Sequence, residues 1–466
     1  MHKHNKSNLI IISVIALLSM ACTKESESQL YIGSTAVDTT TVLSGIDTPW
    51  ELLYGPDGYL WFTERSGKVS RFNPLTGEST VILTIQDVLE YGEAGLLGMV
   101  LHPEFEGQPW VYLVYNYASG EFVKERLVRY VWNGSTLTDG ITLINNIPAN
   151  SYHNGSRLVF GPDGKLYMST GDAGFTSNSQ NPNSLAGKIL RINPDGSIPA
   201  DNPVAGSYIW ASGLRNTQGL VFSPEGLLYG SEHGPNNDDE FNLLEEGRNY
   251  GWPAVAGFCD LPAEITFCQE NNVREPLYAW TPTLAVAGID YYNHPAIPQW
   301  QHSILMTSLK ASKLVSLKLS TDGLSVVSAE NWFDGYWGRL RDVCVSPDGK
   351  IYLAVSNRDG RGSPRPGDDR IIEIRVVSPT SDNVANIEDS RLKVIPNPIN
   401  GTGQVKWKGL KSAGEYFILN TAGAIIASGK AAAPSFSIST VHFIPGYYIL
   451  RINSENQTVS TPFLVM

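Results

Sequence analysis

This sequence predicts an all-β fold, a six-bladed β-propeller followed by a small C-terminal β-sandwich, on three observations. From Thr40 to Val377, short β-branched and aromatic runs alternate with Gly, Pro, Asn and Asp turns, and no long stretch shows helical periodicity. Within that span a turn with a proline, an acidic residue and a glycine recurs ahead of an apolar strand. It stands at Pro56-Asp57-Gly58, Pro162-Asp163-Gly164, Pro224-Glu225-Gly226 and Pro347-Asp348-Gly349. The gaps of 106, 62 and 123 residues are two, one and two units of roughly 55–60 residues, the length of a four-stranded blade. The third observation is a change of texture at Ser378. A polar linker over 378–391 gives way to short alternating strands over 392–466, among them Tyr416-Phe417-Ile418-Leu419 and Tyr447-Tyr448-Ile449-Leu450.

The composition agrees element by element. The 44 Gly and 28 Pro supply turns, and 42% hydrophobic residues with 10% aromatics supply a core. A formal net charge of −12 excludes a nucleic-acid partner, since phosphate binding needs a basic footprint. At the N-terminus, residues 1–22 read as a targeting segment: Lys3 and Lys6 precede an apolar run from Leu9 to Leu18, then Ser19-Met20-Ala21-Cys22. About ten apolar residues suit a signal peptide and fall short of a membrane span. Export to the periplasm, the outer membrane or the medium is expected, with Cys22 placed for a lipid anchor. In an oxidising compartment the nine-residue spacing of Cys259 and Cys268 permits a disulfide, and Cys344 reads as a buried core thiol.

Four polar segments interrupt the strands. In Tyr152-His153-Asn154-Gly155-Ser156-Arg157, His153 lies one hairpin from Gly171-Asp172. A carboxylate on one imidazole nitrogen would leave the other free as a base, although a structural histidine uses the same pair. Cations recur in Gly213-Leu214-Arg215-Asn216, at Lys310, and at Arg339 and Arg341, which alternation places on one face. Gathered together they would bind a polyanion; dispersed, they are surface ion pairs. Glu232-His233-Gly234-Pro235-Asn236-Asn237-Asp238-Asp239-Glu240 has the composition of a calcium loop without EF-hand spacing.

In order, Gly95-Leu96-Leu97-Gly98, His102-Pro103, His153 with Arg157-Leu158, Gly171-Asp172 and Gly187-Lys188-Ile189-Leu190-Arg191 resemble the soluble glucose/sorbosone dehydrogenase family. Arg215-Asn216, Gln218-Gly219, Glu232-His233-Gly234-Pro235, Asn249-Tyr250-Gly251-Trp252-Pro253 and Arg339-Leu340-Arg341-Asp342 continue the match, which covers Pro49 to Ile374. The resemblance implies oxidation of a sugar or alcohol by pyrroloquinoline quinone (PQQ) with calcium, and electrons passed to an external acceptor. It assigns the base to His153, its orientation to Asp172 and charge stabilisation to Arg215. Asn216, Lys310, Arg339 and Arg341 would hold the cofactor, with Thr283 and Glu93 also at the site. The carbonyls of Gly234 and Pro235 would ligate one calcium. Glu240 with the carbonyls of Tyr250 and Ala256 would ligate a second. The tail, through Pro396-Asn397-Pro398, Asn420-Thr421-Ala422-Gly423 and Pro445-Gly446-Tyr447-Tyr448, resembles a type IX secretion sorting domain and implies a secretion-machinery partner.

The sequence departs from that family at Asn154-Gly155-Ser156, at His233 and at Glu93, which stand where members carry other residues. The family also includes binding ectodomains, so a noncatalytic exported propeller for carbohydrate or protein is the rival expectation. A hydrolase using His, Asp and calcium is a third; it gives the cation cluster no role.

Overall fold

The computed structural model describes residues 29–377, 392–407, 414–420, 425–432, 435–454 and 457–466. The targeting segment 1–22, with Cys22, and the linker 378–391 lie outside them. The chain divides into a unit ending at Val376 and a second over Val377–Met466.

In the first unit, six antiparallel sheets follow one another along the chain. Each begins with one strand of a repeating set: β1 (Pro49–Tyr54), β2 (Leu96–Leu101), β3 (Gly155–Phe160), β4 (Thr217–Phe222), β5 (Val286–Tyr292) and β6 (Leu340–Val345). These strands neighbour one another in a closed cycle, β1 on β2 through to β6 on β1, as in a β-propeller. The last sheet is completed by the N-terminus: Thr35–Ser44 pairs antiparallel with Arg370–Val376, and Leu30–Ile32 adds an edge. The fold thus starts before Thr40, the first residue expected from the sequence: Leu30–Ile32 is too short for readable alternation, and the first half of Thr35–Ser44 is joined to the unit only through pairing with its far end. Each recurrent Pro–acidic–Gly turn joins the first two strands of its sheet. In the first and third sheets Asp57 and Asp163 accept the backbone N–H two residues on. Gly58 and Gly164 take left-handed φ values of 77° and 71°. The second and fifth sheets replace this turn with the longer connections 102–109 and 293–302, which accounts for the doubled gaps.

Where the six strands meet, charge is buried. Arg157 on β3 is 3% exposed. Its Nη1 lies 2.7 Å from Glu51 Oε1 on β1 and 2.8 Å from Asp342 Oδ2 on β6. Its Nε donates to the Gln218 carbonyl on β4 at 2.6 Å. The Leu52 N–H donates to Asp342, and the Met99 N–H on β2 to Glu51. Crowding at this junction explains two glycines: a Cβ at Gly98 would stand 1.9 Å from the Ser156 carbonyl oxygen, and one at Gly288 1.7 Å from Asp342 Oδ1.

Cys259 and Cys268 are bridged on the long connection in the fourth sheet, and Cys344 is a buried free thiol. That connection also carries one short helix, Pro262–Glu270. Among the described residues no helix is long and apolar enough to cross a membrane. In the second unit, a sheet of Leu392–Ile395, Thr402–Trp407 and Ser435–Ser439 accompanies a sheet of Gly414–Asn420, Ile425–Ala431, Gly446–Ser454 and Gln457–Val465. Val394 and Val405 of the one share an apolar cluster with Ile418, Leu450 and Phe463 of the other.

Two predictions follow from the buried charges. Arg157→Met leaves Glu51 and Asp342 buried and unpaired, so it should lower unfolding free energy by about 3–5 kcal/mol; denaturant titration measures this, and a change below about 1 kcal/mol would remove Arg157 as the junction's anchor. Glu125 is 1% exposed, accepts from Ser156 Oγ at 2.6 Å, and is pushed by burial from 4.5 up to about 8. Folding therefore takes up a proton at this carboxyl between those values, and its contribution, full below pH 4.5, fades as pH rises to about 8. Glu125→Gln should remove up to about 1.4 kcal/mol per pH unit of that decline. Parallel stability–pH curves for the two proteins would contradict it.

Candidate active site

All six strands of the central cycle break register near their starts: between Pro49 and Leu52, Leu96 and Met99, Gly155 and Leu158, Thr217 and Gly219, Val286 and Ile289, and Leu340 and Asp342. A bulge turns a side chain out of the alternation of its strand. Trp50, Leu97, Gln218 and Arg341 thereby line one cavity of about 380 Å³, which the backbone of Gly155 also borders, at the small end of the range for ligand sites.

His153 lines it, with Asp172 buried directly behind. His153 Nδ1 lies 2.8 Å from Asp172 Oδ1, and His153 holds a left-handed φ of 58°. Asp172 is fully buried; its Oδ1 accepts the Gly174 N–H at 2.7 Å and its Oδ2 accepts Trp252 Nε1–H at 2.9 Å. With Nδ1 engaged by a fixed carboxylate, Nε2 is the nitrogen left for a ligand. Glu93 borders it, accepting the His153 N–H at 3.3 Å through Oε2 and pairing with Arg361 at 2.8 Å through Oε1.

The cations expected from the sequence converge here. Among the described residues Arg65, Arg215, Lys310, Arg339, Arg341 and Arg361 line the cavity against three carboxylates, Glu93, Asp239 and Asp359. This excess of positive charge sits in a chain of net charge −12. Lys310 Nζ donates to Thr283 Oγ1 at 3.0 Å. Asp359 Oδ2 accepts from Arg339 at 2.7 Å and lies 3.6 Å from Arg341 Nη2. Arg341 also donates to Gln218 Oε1 at 3.1 Å, and burial, with Arg339 and Arg157 nearby, pushes it down to about 10. The Nε atoms of Arg215 and Arg341 are buried without a hydrogen-bond partner among the described residues. A bound polyanion would relieve the crowded charge, so the cavity fits a cofactor bearing several carboxylates.

Asn216 does not join this set. It is 1% exposed behind the wall, its Oδ1 accepting from the Gly155 N–H and Gln218 Nε2, both at 3.1 Å. The bulge at 217–219 directs its neighbour Gln218 inward instead. Asp359 and Arg361, on the turn after the second strand of the last sheet, also carried no signal of their own.

Gly234 and Pro235 border the same cavity. Their turn is held by Asp239, which accepts the N–H of Gly234 at 2.9 Å and of Leu284 at 2.7 Å. His233 donates Nε2–H to the Val286 carbonyl at 2.6 Å, and burial pushes it down to about 3, keeping it neutral. Gly234 and Pro235 also border a second, much smaller cavity shared with Glu240, Tyr250, Ala256 and Glu232. Among the described residues no three His, Cys, Asp or Glu side chains cluster for a metal. A cation in either place would therefore rely on carbonyl oxygens with one or two carboxylates, the donor set of a hard ion such as calcium.

Residues 46–364 match the profile of the glucose/sorbosone dehydrogenase family, and residues 393–466 match that of the secretion system C-terminal sorting domain. Quinoprotein glucose dehydrogenase B of Acinetobacter calcoaceticus is 29% identical over 77% of this chain and 94% of its own. The aldose sugar dehydrogenase of Escherichia coli is 30% identical over 72% of this chain and 96% of its own. The PQQ-bound aldose sugar dehydrogenase of Streptomyces coelicolor superposes with a TM-score of 0.65 at 34% identity, over 73% of this chain and 98% of that one. The chain therefore belongs to the glucose/sorbosone dehydrogenase family and carries a C-terminal domain of the secretion-sorting type.

Proposed function

We propose that this PQQ-dependent sugar dehydrogenase is an exported, six-bladed propeller that oxidises an aldose or related alcohol with His153 as base and calcium as a second cofactor. The reading is carried by the His153–Asp172 pair, 2.8 Å apart, in the wall of a cavity with excess cationic side chains. The closed cycle of six sheets supports the blade count, and the apolar cluster shared by the two C-terminal sheets supports a sandwich.

The substrate hydroxyl donates its proton to His153 Nε2. Asp172 holds the Nδ1–H and offsets the positive charge that the ring acquires; Trp252 and Gly174 keep that carboxylate from turning away. Bound PQQ supplies the acceptor for the carbon-bound hydrogen and its electron pair. Lys310, Thr283, Arg339 and Arg341 would hold the cofactor, and Arg215 would offset negative charge developing there. Calcium on the Gly234 and Pro235 carbonyls would supply Lewis acidity there. A second calcium would use Glu240 with the carbonyls of Tyr250 and Ala256. The electrons leave to an external acceptor. The C-terminal unit delivers the protein to the secretion machinery, with residues 1–22 as the export signal; lipid attachment at Cys22 is the alternative anchor.

Purified apo-protein reconstituted with calcium and PQQ should reduce a dye in the presence of an aldose. His153→Gln should lower kcat by roughly a hundredfold or more while leaving cofactor uptake unchanged. Wild-type turnover by that variant would remove the base, and failure of the wild type to take up PQQ would overturn the quinoprotein reading. Calcium should raise the Tm of the wild type, and Glu240→Gln should reduce that rise. An equal rise in both would exclude Glu240 as a ligand.

A further inference from the structure

Between the last strand of the fifth sheet and β6 lies the segment Phe333-Asp334-Gly335-Tyr336-Trp337-Gly338, whose three aromatics, one exposed and two partly buried, have no part in the chemistry above. Tyr336 is 52% exposed. Its ring centroid lies 6.1 Å from that of Phe333 and 5.8 Å from that of Trp337, and Phe333 and Trp337 are 5.1 Å apart. Trp337 and Phe333 also pack on the buried cluster between the fifth and sixth sheets, so the platform is anchored from below.

The segment is held from both sides. The Gly335 N–H donates to the Ser312 carbonyl at 2.9 Å, Arg365 Nη1 donates to the Tyr336 carbonyl at 2.8 Å, and Asn357 Nδ2 donates to the Trp337 carbonyl at 2.8 Å. Ser312 belongs to the turn that puts Lys310 into the cavity. Asn357 and Arg365 belong to the loop that puts Asp359 and Arg361 there, and the segment itself runs into Arg339. The aromatic cluster is therefore fixed on the rim of the active-site cavity, outside its walls. Phe333 keeps a left-handed φ of 54°, a conformation that a bulky side chain retains only where its surroundings impose it.

We propose that Tyr336, backed by Phe333 and Trp337, is an outer sugar subsite that binds the second unit of a saccharide whose reducing-end unit enters the cavity. The inference rests on the sugar-oxidising function proposed above. Sugar rings present C–H faces that stack on aromatic rings, and a rigid aromatic platform binds them with little loss of side-chain entropy. Position points the same way: the cluster is tied to the segments that carry Lys310, Arg339, Asp359 and Arg361 into the cavity, so a saccharide chain leaving the cavity on that side meets it.

The test compares glucose with maltose, maltotriose, cellobiose and cellotriose as substrates of the reconstituted enzyme, in wild type, Tyr336→Ala and Tyr336→Phe. Tyr336 is exposed, so the variants should fold; their Tm values check this. The expected result is a KM for the longer saccharides about tenfold higher in Tyr336→Ala, with kcat and the glucose KM unchanged and Tyr336→Phe close to wild type. Calorimetry of the same oligosaccharides on the apo-protein reads the subsite without turnover. Binding weakened by Tyr336→Ala supports the subsite even where no sugar is oxidised, an outcome that would remove the dehydrogenase reading alone. Oligosaccharide KM and affinity indifferent to Tyr336→Ala overturn the subsite and leave that reading standing. An effect confined to the KM for a protein electron acceptor also overturns it, assigning the rim to the acceptor.

Discussion

The organisation of the site depends on one buried guanidinium. Arg157 reaches from β3 to Glu51 on β1, Asp342 on β6 and the backbone of β4, and through Glu51 it is tied to β2. Such an arrangement is a poor source of net stability, because desolvating three charges offsets much of their attraction. Its consequence is geometric. Only one mutual height of the strands satisfies all the donors, whereas apolar contacts alone would tolerate sliding. The six register breaks occur in this same layer, so the height that satisfies Arg157 also sets which side chains turn into the cavity. Arg341 is one residue from Asp342, Trp50 one from Glu51, and Gln218 supplies both the carbonyl that accepts from Arg157 and the amide oxygen that accepts from Arg341. Scaffold and site are thus built from adjacent residues.

Above that layer the electrostatics reverse. The chain as a whole is acidic, yet the cavity collects more cations than carboxylates. Asp359 keeps Arg339 and Arg341 close together without neutralising both, and the pressure of like charge and burial remains visible in the lowered value for Arg341. Neutral His233, carrying its proton toward Val286, adds no further charge. The cavity is left with cationic capacity that a polyanion would meet. The His153–Asp172 pair adjoins this cluster: the Asp172 N–H donates to the Arg215 carbonyl at 2.7 Å, and Trp252, whose indole donates to Asp172, lies against the Arg215 guanidinium. Glu93 joins the two on the other side, accepting from the His153 N–H and pairing with Arg361.

How much of this was legible in the sequence varies with the physics of each element. The Pro–acidic–Gly turns could be read because each encodes a local requirement, a left-handed glycine and an Asx contact, independent of the rest of the fold. The second and fifth sheets use longer connections without that requirement, and only the spacing of their neighbours revealed them. His153 with Asp172 and Arg339 with Arg341 were legible as pairs one hairpin or one alternation apart. Asn216 lies outside the cavity lining for a reason alternation cannot expose: a register break after Thr217 brings Gln218 into the cavity and leaves Asn216 behind it. Arg361 escaped because its partner Glu93 is brought to it only by closure of the cycle, and Asp359 because it lies in the loop after the hairpin that begins at Arg339, where no alternation marks it.

Glu232 links the two cavities. Its Oε1 accepts the N–H groups of Arg215, at 2.9 Å, and of Asn216, and its Oε2 accepts from the Thr217 hydroxyl. One carboxylate thus sets the backbone from which Arg215 enters the main cavity. The same side chain borders the small cavity beside Glu240, and burial pushes Glu232 up to about 7 and Glu240 up to about 8, with Glu232 contributing to the latter. Two carboxylates so placed repel each other when both ionise, and a hard cation between carbonyls and carboxylates would relieve that repulsion. Charge in the small cavity bears directly on the backbone at Arg215, whose guanidinium also donates to the His233 carbonyl at 3.2 Å. The short turn from Glu232 through Pro235 therefore places the buried carboxylates of one cavity directly behind the guanidinium that enters the other.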